Sequence, residues 1–209
     1  MIVVNLSTSN YRRAQQRLKI SLVNTPAMFW TDYPFGWPTH QESPYEFKIH
    51  AIREALKHDD IVLWCDSSFY KVGDLNVIEN IIREDGYFFS EAGHYAGRWT
   101  NDFTRKYFNL TEEEAHQGPG GITMFSAGLL GLNKKSEVSM QFLDEWERSA
   151  KAGCFRGSWA DHRHDMTCAS IIATRLNMKY QRGGQHMAYI GPGYQKPEKN
   201  VVFYCQGML

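Results

Sequence analysis

The chain has 209 residues, 43% of them hydrophobic and 22% charged, which fits one folded domain with a sizeable core and excludes a disordered or collagen-like chain. Lys plus Arg and Asp plus Glu both number 23, and a net charge of zero argues against a protein that holds duplex nucleic acid by counterion release. No apolar run approaches the roughly 18 residues of a membrane-crossing helix. The four cysteines, Cys65, Cys154, Cys168 and Cys205, form neither a Cys-x-x-Cys pair nor a small disulfide framework. With no leader-like N-terminal segment, the expectation is a soluble, cytoplasmic protein with reduced thiols.

In chain order, Met1 to Leu6 is a β-rich run followed by a polar turn, Ser7 to Asn10. Asn10 is placed to cap a helix with Tyr11, Ala14, Leu18 and Leu22 on one face. A short strand from Ala27 ends at Asp32, and an aromatic, Pro-broken loop runs from Tyr33 to His40. Ser43-Pro44-Tyr45-Glu46 has the pattern of a capping box opening a helix that reaches about Lys57. Ile61 to Cys65 is continuously apolar and stops at Asp66-Ser67-Ser68, the habit of a strand buried on both faces. This β-α-β-α-β order predicts a parallel, right-handed wound sheet.

Asp74 caps a further helix with Leu75, Ile78 and Ile82 inward, and Tyr87 to Phe89 is a strand ending at Ser90-Glu91. From Ala92 to Gly121 the chain is Gly-rich and aromatic, with two short helical pieces and a second capping box at Thr111 and Glu114; it is long enough to be a functional insertion. Ile122 to Leu132 reads as a strand with a close backbone approach at Gly128. A helix opens at Ser136, and another opens at Asp165 with Met166, Ala169, Ala173 and Leu176 inward. Met178 to Tyr180 and Val201 to Cys205 are the last strand-like runs, separated by a Gly/Pro-rich loop.

Ligands of such sheets sit beyond the carboxyl ends of the strands, so Asp66, Ser67 and Ser68 are candidate binding residues. No Gly-x-Gly-x-x-Gly follows the first strand and no Gly-x-x-x-x-Gly-Lys occurs, which disfavours the usual dinucleotide and P-loop sites. His162-Arg163-His164-Asp165 begins like a dinuclear metal motif, but Met166-Thr167-Cys168 lacks the remaining ligands.

Asp66-Ser67-Ser68 resembles a degenerate Asp-x-Asp motif of the GT-A-fold, nucleotide-sugar-dependent glycosyltransferases. Lys48 matches the lysine that precedes such motif strands. Phe125 to Leu130 resembles the Asn-Ala-Gly-Val strand along the donor sugar, and Arg163 to Met166 resembles the Asp-Gln pair beside the reacting carbon. His186, Gly191 and Lys196-Pro197 are similar to the ending of glycogenin-like members. The resemblance implies a single GT-A-like domain with a mainly parallel central sheet flanked by helices. Its nucleotide-binding half is 1-92 and its acceptor-side half 93-209.

It further implies a divalent cation, Mn2+ or Mg2+, held by Asp66 with Ser68 and His186, because a departing nucleoside diphosphate carries growing negative charge. Thr8, Ser9, Arg12 and Asp32 would contact the nucleoside; Lys48 and Lys196 would balance the phosphates. Ser67 belongs with Asp66 and Ser68, and Ser126, Ala127 and Gly128 would shape the sugar pocket. Asp165 and Glu91 are the candidate catalytic carboxylates. Asp165 reads equally as a plain helix cap, Arg12 and Asp32 as solvated surface charges, and Lys48 as a solvent-facing helix lysine. Trp37, His94, Tyr95 and Trp99 are placed to wall the cleft. The expected activity is transfer of a sugar from a UDP- or GDP-linked donor to a hydroxyl of a glycan, glycoprotein or small molecule. A nucleotidyltransferase and a non-catalytic sugar-binding module of the same fold are the alternatives.

Overall fold

The computed structural model describes residues 1–190 and 200–206. Its central sheet has five strands in the order β2 (Ala27–Trp30), β1 (Ile2–Leu6), β3 (Ile61–Cys65), β6 (Thr123–Asn133) and β5 (Tyr87–Tyr95). β1 pairs in parallel with β2 and β3, whereas β6 runs antiparallel to both β3 and β5. Four strands therefore share one direction, as the β-α-β-α-β order implies, and β6 alone is reversed. No crossover is required between β5 and β6, because antiparallel neighbours can be joined along one sheet end.

Both faces are covered. Val62 and Trp64 of β3 pack with Phe89 and Leu130 under α2 (Phe47–Ala55), α5 (Glu137–Lys151) and α6 (His164–Arg175). Ile61, Leu63 and Cys65 pack the other way with Leu18 of α1 (Arg12–Ser21), and with Ile78 and Ile82 of α3 (Asn76–Asp85). Alternate β3 side chains thus enter two different cores, which is why the run carries no polar residue. Burying each of these apolar side chains contributes about 1.5–3 kcal/mol. A third buried region gathers Ala96, Ile122, Met124 and Ile171 beside α4 (Asp102–Phe108).

A second sheet of three short strands, β4 (Phe69–Lys71), β8 (Phe203–Cys205) and β7 (Met187–Tyr189), lies on the α1 side. Only its β8 portion is signalled by the sequence pattern, since three-residue strands leave too little alternation to read.

Three local expectations fail. Met178 to Tyr180 forms no strand; Gln181 makes a lone parallel bridge to Ser90, and the Tyr180 ring packs on Phe125 at 5.4 Å. The Ser43 capping box does not form either. Tyr45 adopts a left-handed backbone (φ 65), α2 starts two residues later without a side-chain cap, and the Glu46 carboxylate faces His50 at 3.8 Å. Likewise Asn10 sits within a single 3-10 turn, Ser9–Tyr11, and does not cap α1. By contrast Asp74 Oδ1 accepts the Asn76 N–H at 3.0 Å, and Thr111 and Glu114 cap one another at 3.1 and 3.0 Å.

Candidate active site

β3 leaves the sheet at Asp66, whose N–H donates to the Gly128 carbonyl of β6 at 2.7 Å. Trp64 lies two residues earlier on the same strand face, so its Nε1–H reaches Asp66 Oδ1 at 2.7 Å. The same oxygen lies 3.3 Å from Lys48 Nζ, which rises from α2. That ammonium is 2.9 Å from Asp165 Oδ2 of α6 and donates to the Ala127 carbonyl of β6 at 3.1 Å. Lys48, Asp66, Ala127-Gly128 and Asp165, expected from four separate segments, therefore converge on one nitrogen atom.

Lys48 and Asp165 are almost completely buried, while Asp66 retains a third of its side-chain surface. Burial by itself would depress the Lys48 ammonium, but the charges of Asp165 and Asp66 outweigh it and hold the group above its ordinary range. Burial raises the Asp165 carboxyl, and the Lys48 charge partly opposes that rise. Asp165 is not the helix cap: α6 begins at His164, in a left-handed conformation (φ 45), and Asp165 lies within its first turn. Lysine 48 is likewise a core cation and not a solvent-facing one.

Two cavities open on either side of this group, of about 330 and 900 Å³, and share Tyr45, Asp66, Ser68 and Cys205. The larger is lined by Ser7, Thr8, Tyr11 and Tyr33 from the ends of β1 and β2, together with His40 and Gln41 of the aromatic loop. The smaller is lined by Lys48, Ser126 to Gly128, His94, Arg163 and Asp165. Gly128 permits the approach of β6 to the carboxylate, since a Cβ there would lie 2.9 Å from Asp66 Oδ2. At the rim, the Arg163 guanidinium carbon stands 3.7 Å from the Trp99 ring centroid and 4.2 Å from that of Trp159. Arg163 also donates to the Trp159 carbonyl, and the His164 ring stacks on Trp159 at 5.5 Å.

Ser67 lines the larger cavity, where its hydroxyl accepts from Asn5 Nδ2 at 3.1 Å; Gln15 Nε2 donates to Asn5 Oδ1 at 2.8 Å, so Ser67 also belongs to a buried network joining β1, α1 and β3. Other expected site residues are placed elsewhere. Ser9 and Arg12 are exposed and line neither cavity, and Asp32 is exposed with Oδ1 accepting the Tyr33 N–H at 2.8 Å. Glu91 sits on β5 opposite Phe125 and lines neither cavity. His186 is buried with its ring 5.9 Å from that of Phe88, in the core on the α1 side, and lines neither cavity. Trp37 packs on Trp30 at 5.3 Å and is not a cleft wall. Lys196 lies outside the described residues.

Sequence reasoning missed Tyr45 and His40 as cavity residues, and named Arg163 only within its motif. The available signal was the Gly157-Ser158-Trp159 turn, which brings a tryptophan back over Arg163. His162 Nε2 and His164 Nδ1 each lie 2.7 Å from a backbone carbonyl, of Cys154 and Phe155, so both histidines serve the loop and not a metal. The four cysteines are buried, and no disulfide forms among the described residues.

The divalent cation implied by the resemblance does not fit this donor set. Asp66 Oδ1 already faces Trp64 and Lys48, the Ser67 hydroxyl faces Asn5, and His186 stands apart. What remains is Asp66 Oδ2 and the Ser68 hydroxyl, and among the described residues no three His, Cys, Asp or Glu side chains gather as a metal site. Nor is any described helix long and apolar enough to cross a membrane.

No family model matches the chain, and no curated protein matches it in sequence. Solved structures do match. A glycosyltransferase involved in glycosylation of the major capsid of PBCV-1 is 12% identical with a TM-score of 0.58, over 100% of this chain and 96% of that one. Mouse xyloside xylosyltransferase 1 is 10% identical with a TM-score of 0.57, over 99% and 98% of the two chains. The bifunctional glycosyltransferase WbbM is 13% identical with a TM-score of 0.57, over 98% of this chain and 45% of its own. Identities this low carry the architecture and not the chemistry. The chain has a GT-A-like fold, one α/β domain whose mainly parallel central sheet is flanked by helices, in common with these glycosyltransferases.

Proposed function

We propose that the protein transfers a hexosyl group from a nucleoside-diphosphate donor to a hydroxyl acceptor, a glycan, glycoprotein or small molecule. The observation that carries this reading is the meeting of Asp66, the Ala127-Gly128 backbone and Asp165 on Lys48 Nζ, between two cavities of different size. The larger, near 900 Å³, is of the size that takes a nucleotide, and offers Tyr11 and Tyr33 rings and the Thr8 hydroxyl to a UDP or GDP moiety. The smaller, with Ser126, Gly128 and Asp165, takes the sugar and the incoming hydroxyl.

In the transfer, the bond from the sugar's reacting carbon to the phosphate oxygen breaks and its electron pair leaves with the diphosphate. The acceptor oxygen forms the new bond and passes its proton to the departing diphosphate oxygen. Positive charge grows on the reacting carbon, and the buried Asp165 carboxylate stabilises it in a setting from which water is largely excluded. Lys48 keeps Asp165 ionised and fixes its position relative to Asp66. Glu91, Ser9, Arg12 and Asp32 have no part in this scheme, because they do not reach the cavities.

A screen of UDP- and GDP-linked sugars should find one that raises the melting temperature and releases nucleoside diphosphate in the presence of an acceptor. Asp165→Asn should keep the donor-induced stabilisation and lower release by about 10²-fold or more. Donor binding without release of nucleoside diphosphate for any sugar would leave a binding module and sink the transferase reading.

A further inference from the structure

A metal ion at a diphosphate site has two tasks. It neutralises carboxylates that would repel the phosphates, and it supplies positive charge to the departing diphosphate. Here the first task is already filled. The Lys48 ammonium has three N–H donors and three oxygens around it, Asp165 Oδ2 at 2.9 Å, Ala127 O at 3.1 Å and Asp66 Oδ1 at 3.3 Å. It is buried and held from an α2 backbone, so it is a fixed part of the site.

The second task has a candidate in Arg163. Its guanidinium carbon stands 3.7 and 4.2 Å from the Trp99 and Trp159 ring centroids, and one Nη donates to the Trp159 carbonyl, which leaves the other N–H donors for a ligand. It lines the same cavity as Asp66 and Asp165 and forms no ion pair with a carboxylate among the described residues. A planar fork of N–H donors matches phosphate oxygens, and stacking holds it oriented before the ligand arrives. Two carboxylates, one ammonium and one guanidinium sum to zero charge, so the group carries no net negative charge to draw in a dication.

Building on the proposed function's placement of the diphosphate, we propose that this site binds a nucleoside diphosphate without a divalent metal. Lys48 stands where the metal would hold the carboxylates, and Arg163 faces the phosphates.

Calorimetric titration of the full chain with UDP and with GDP, in EDTA, in magnesium and in manganese, tests this directly. The diphosphate that binds should do so with dissociation constants within about threefold across the three conditions. Arg163→Ala should weaken binding in EDTA by about tenfold or more without creating a metal requirement. Lys48→Ala leaves Asp66 and Asp165 facing each other without a cation, and manganese alone should then raise its melting temperature while leaving the unaltered protein unchanged. Tightening of UDP or GDP binding to the unaltered protein by tenfold or more in manganese would overturn the metal-free site while leaving the transferase reading intact. Absence of UDP and GDP binding in every condition would overturn both. The titrations of the unaltered protein decide the matter even if Lys48→Ala does not fold.

Discussion

Asp165 combines a carboxylate's need for hydration with a position almost without water. Its burial raises its proton affinity above the ordinary carboxylate range, and Lys48 pulls that affinity part of the way back. If the ionised form works at the reacting carbon, activity falls as pH drops through the raised value, so the acid limb of kcat/KM lies above that of an ordinary carboxylate. Removing the Lys48 charge raises Asp165 further, and in Lys48→Met the limb should move to higher pH. A pH–rate profile of the two proteins checks both the sign and the partner. An unmoved limb would detach Asp165 from the rate. At this scale the sequence reveals which residues carry chemistry better than where each side chain points. Asp66, Lys48, Gly128 and Asp165 meet as their order along the chain implies. Ser67 borders the larger cavity with its hydroxyl held by Asn5, whereas Glu91 falls outside both cavities, on a strand whose register shifts at a bulge between Phe89 and Glu91.

β6 brings backbone to the carboxylates through two glycines with different duties. At Gly128 an added Cβ would meet Asp66 Oδ2 at 2.9 Å and the Phe69 ring at 3.0 Å, whereas at Gly131 it would meet Ile82 Cδ1 at 2.3 Å, in the core on the α1 side. Each substitution by alanine should cost on the order of 1–3 kcal/mol of stability through overpacking. Urea denaturation combined with UDP and GDP titration separates them, since Gly128→Ala should also weaken diphosphate binding and Gly131→Ala should not. Equal binding losses in both would mean that Gly128 acts only through the fold. Elements long enough to show a period, such as α3 and α5, are legible, with starts at Asn76 and Glu137 close to the Asp74 and Ser136 expected. The reversed direction of β6 is not, because a buried apolar run has the same pattern read either way. The turn around Tyr45 is illegible for another reason: its left-handed backbone overrides a local capping signature that is present in the sequence.

Across the whole molecule, the site rests on contacts between distant segments. Arg17 of α1 donates to the Ser68 carbonyl at 2.9 Å and to Gln206 Oε1 at 3.0 Å, and Gln206 N–H also reaches Ser68 O at 3.0 Å. Cys205, at the end of β8, borders both cavities. Diphosphate binding should therefore slow amide exchange at residues 203–206 as well as at residues 66–69, in a hydrogen-exchange comparison of the protein with and without UDP or GDP. Protection confined to residues 66–69 would remove the small sheet from the site. Composition announced one folded domain, but no local pattern announces a three-residue strand that matters only for where it returns.

The pairing of β4 with β8 also has a kinetic meaning. Ser7 and Cys205 border one cavity from opposite ends of the described chain, so the entropy of closing the segment between them stands between the central sheet and a finished cavity. During synthesis the five-strand sheet has all its strands before β8 exists. A growing chain can thus assemble the core of its central sheet before the residue that closes the far side of the cavity exists.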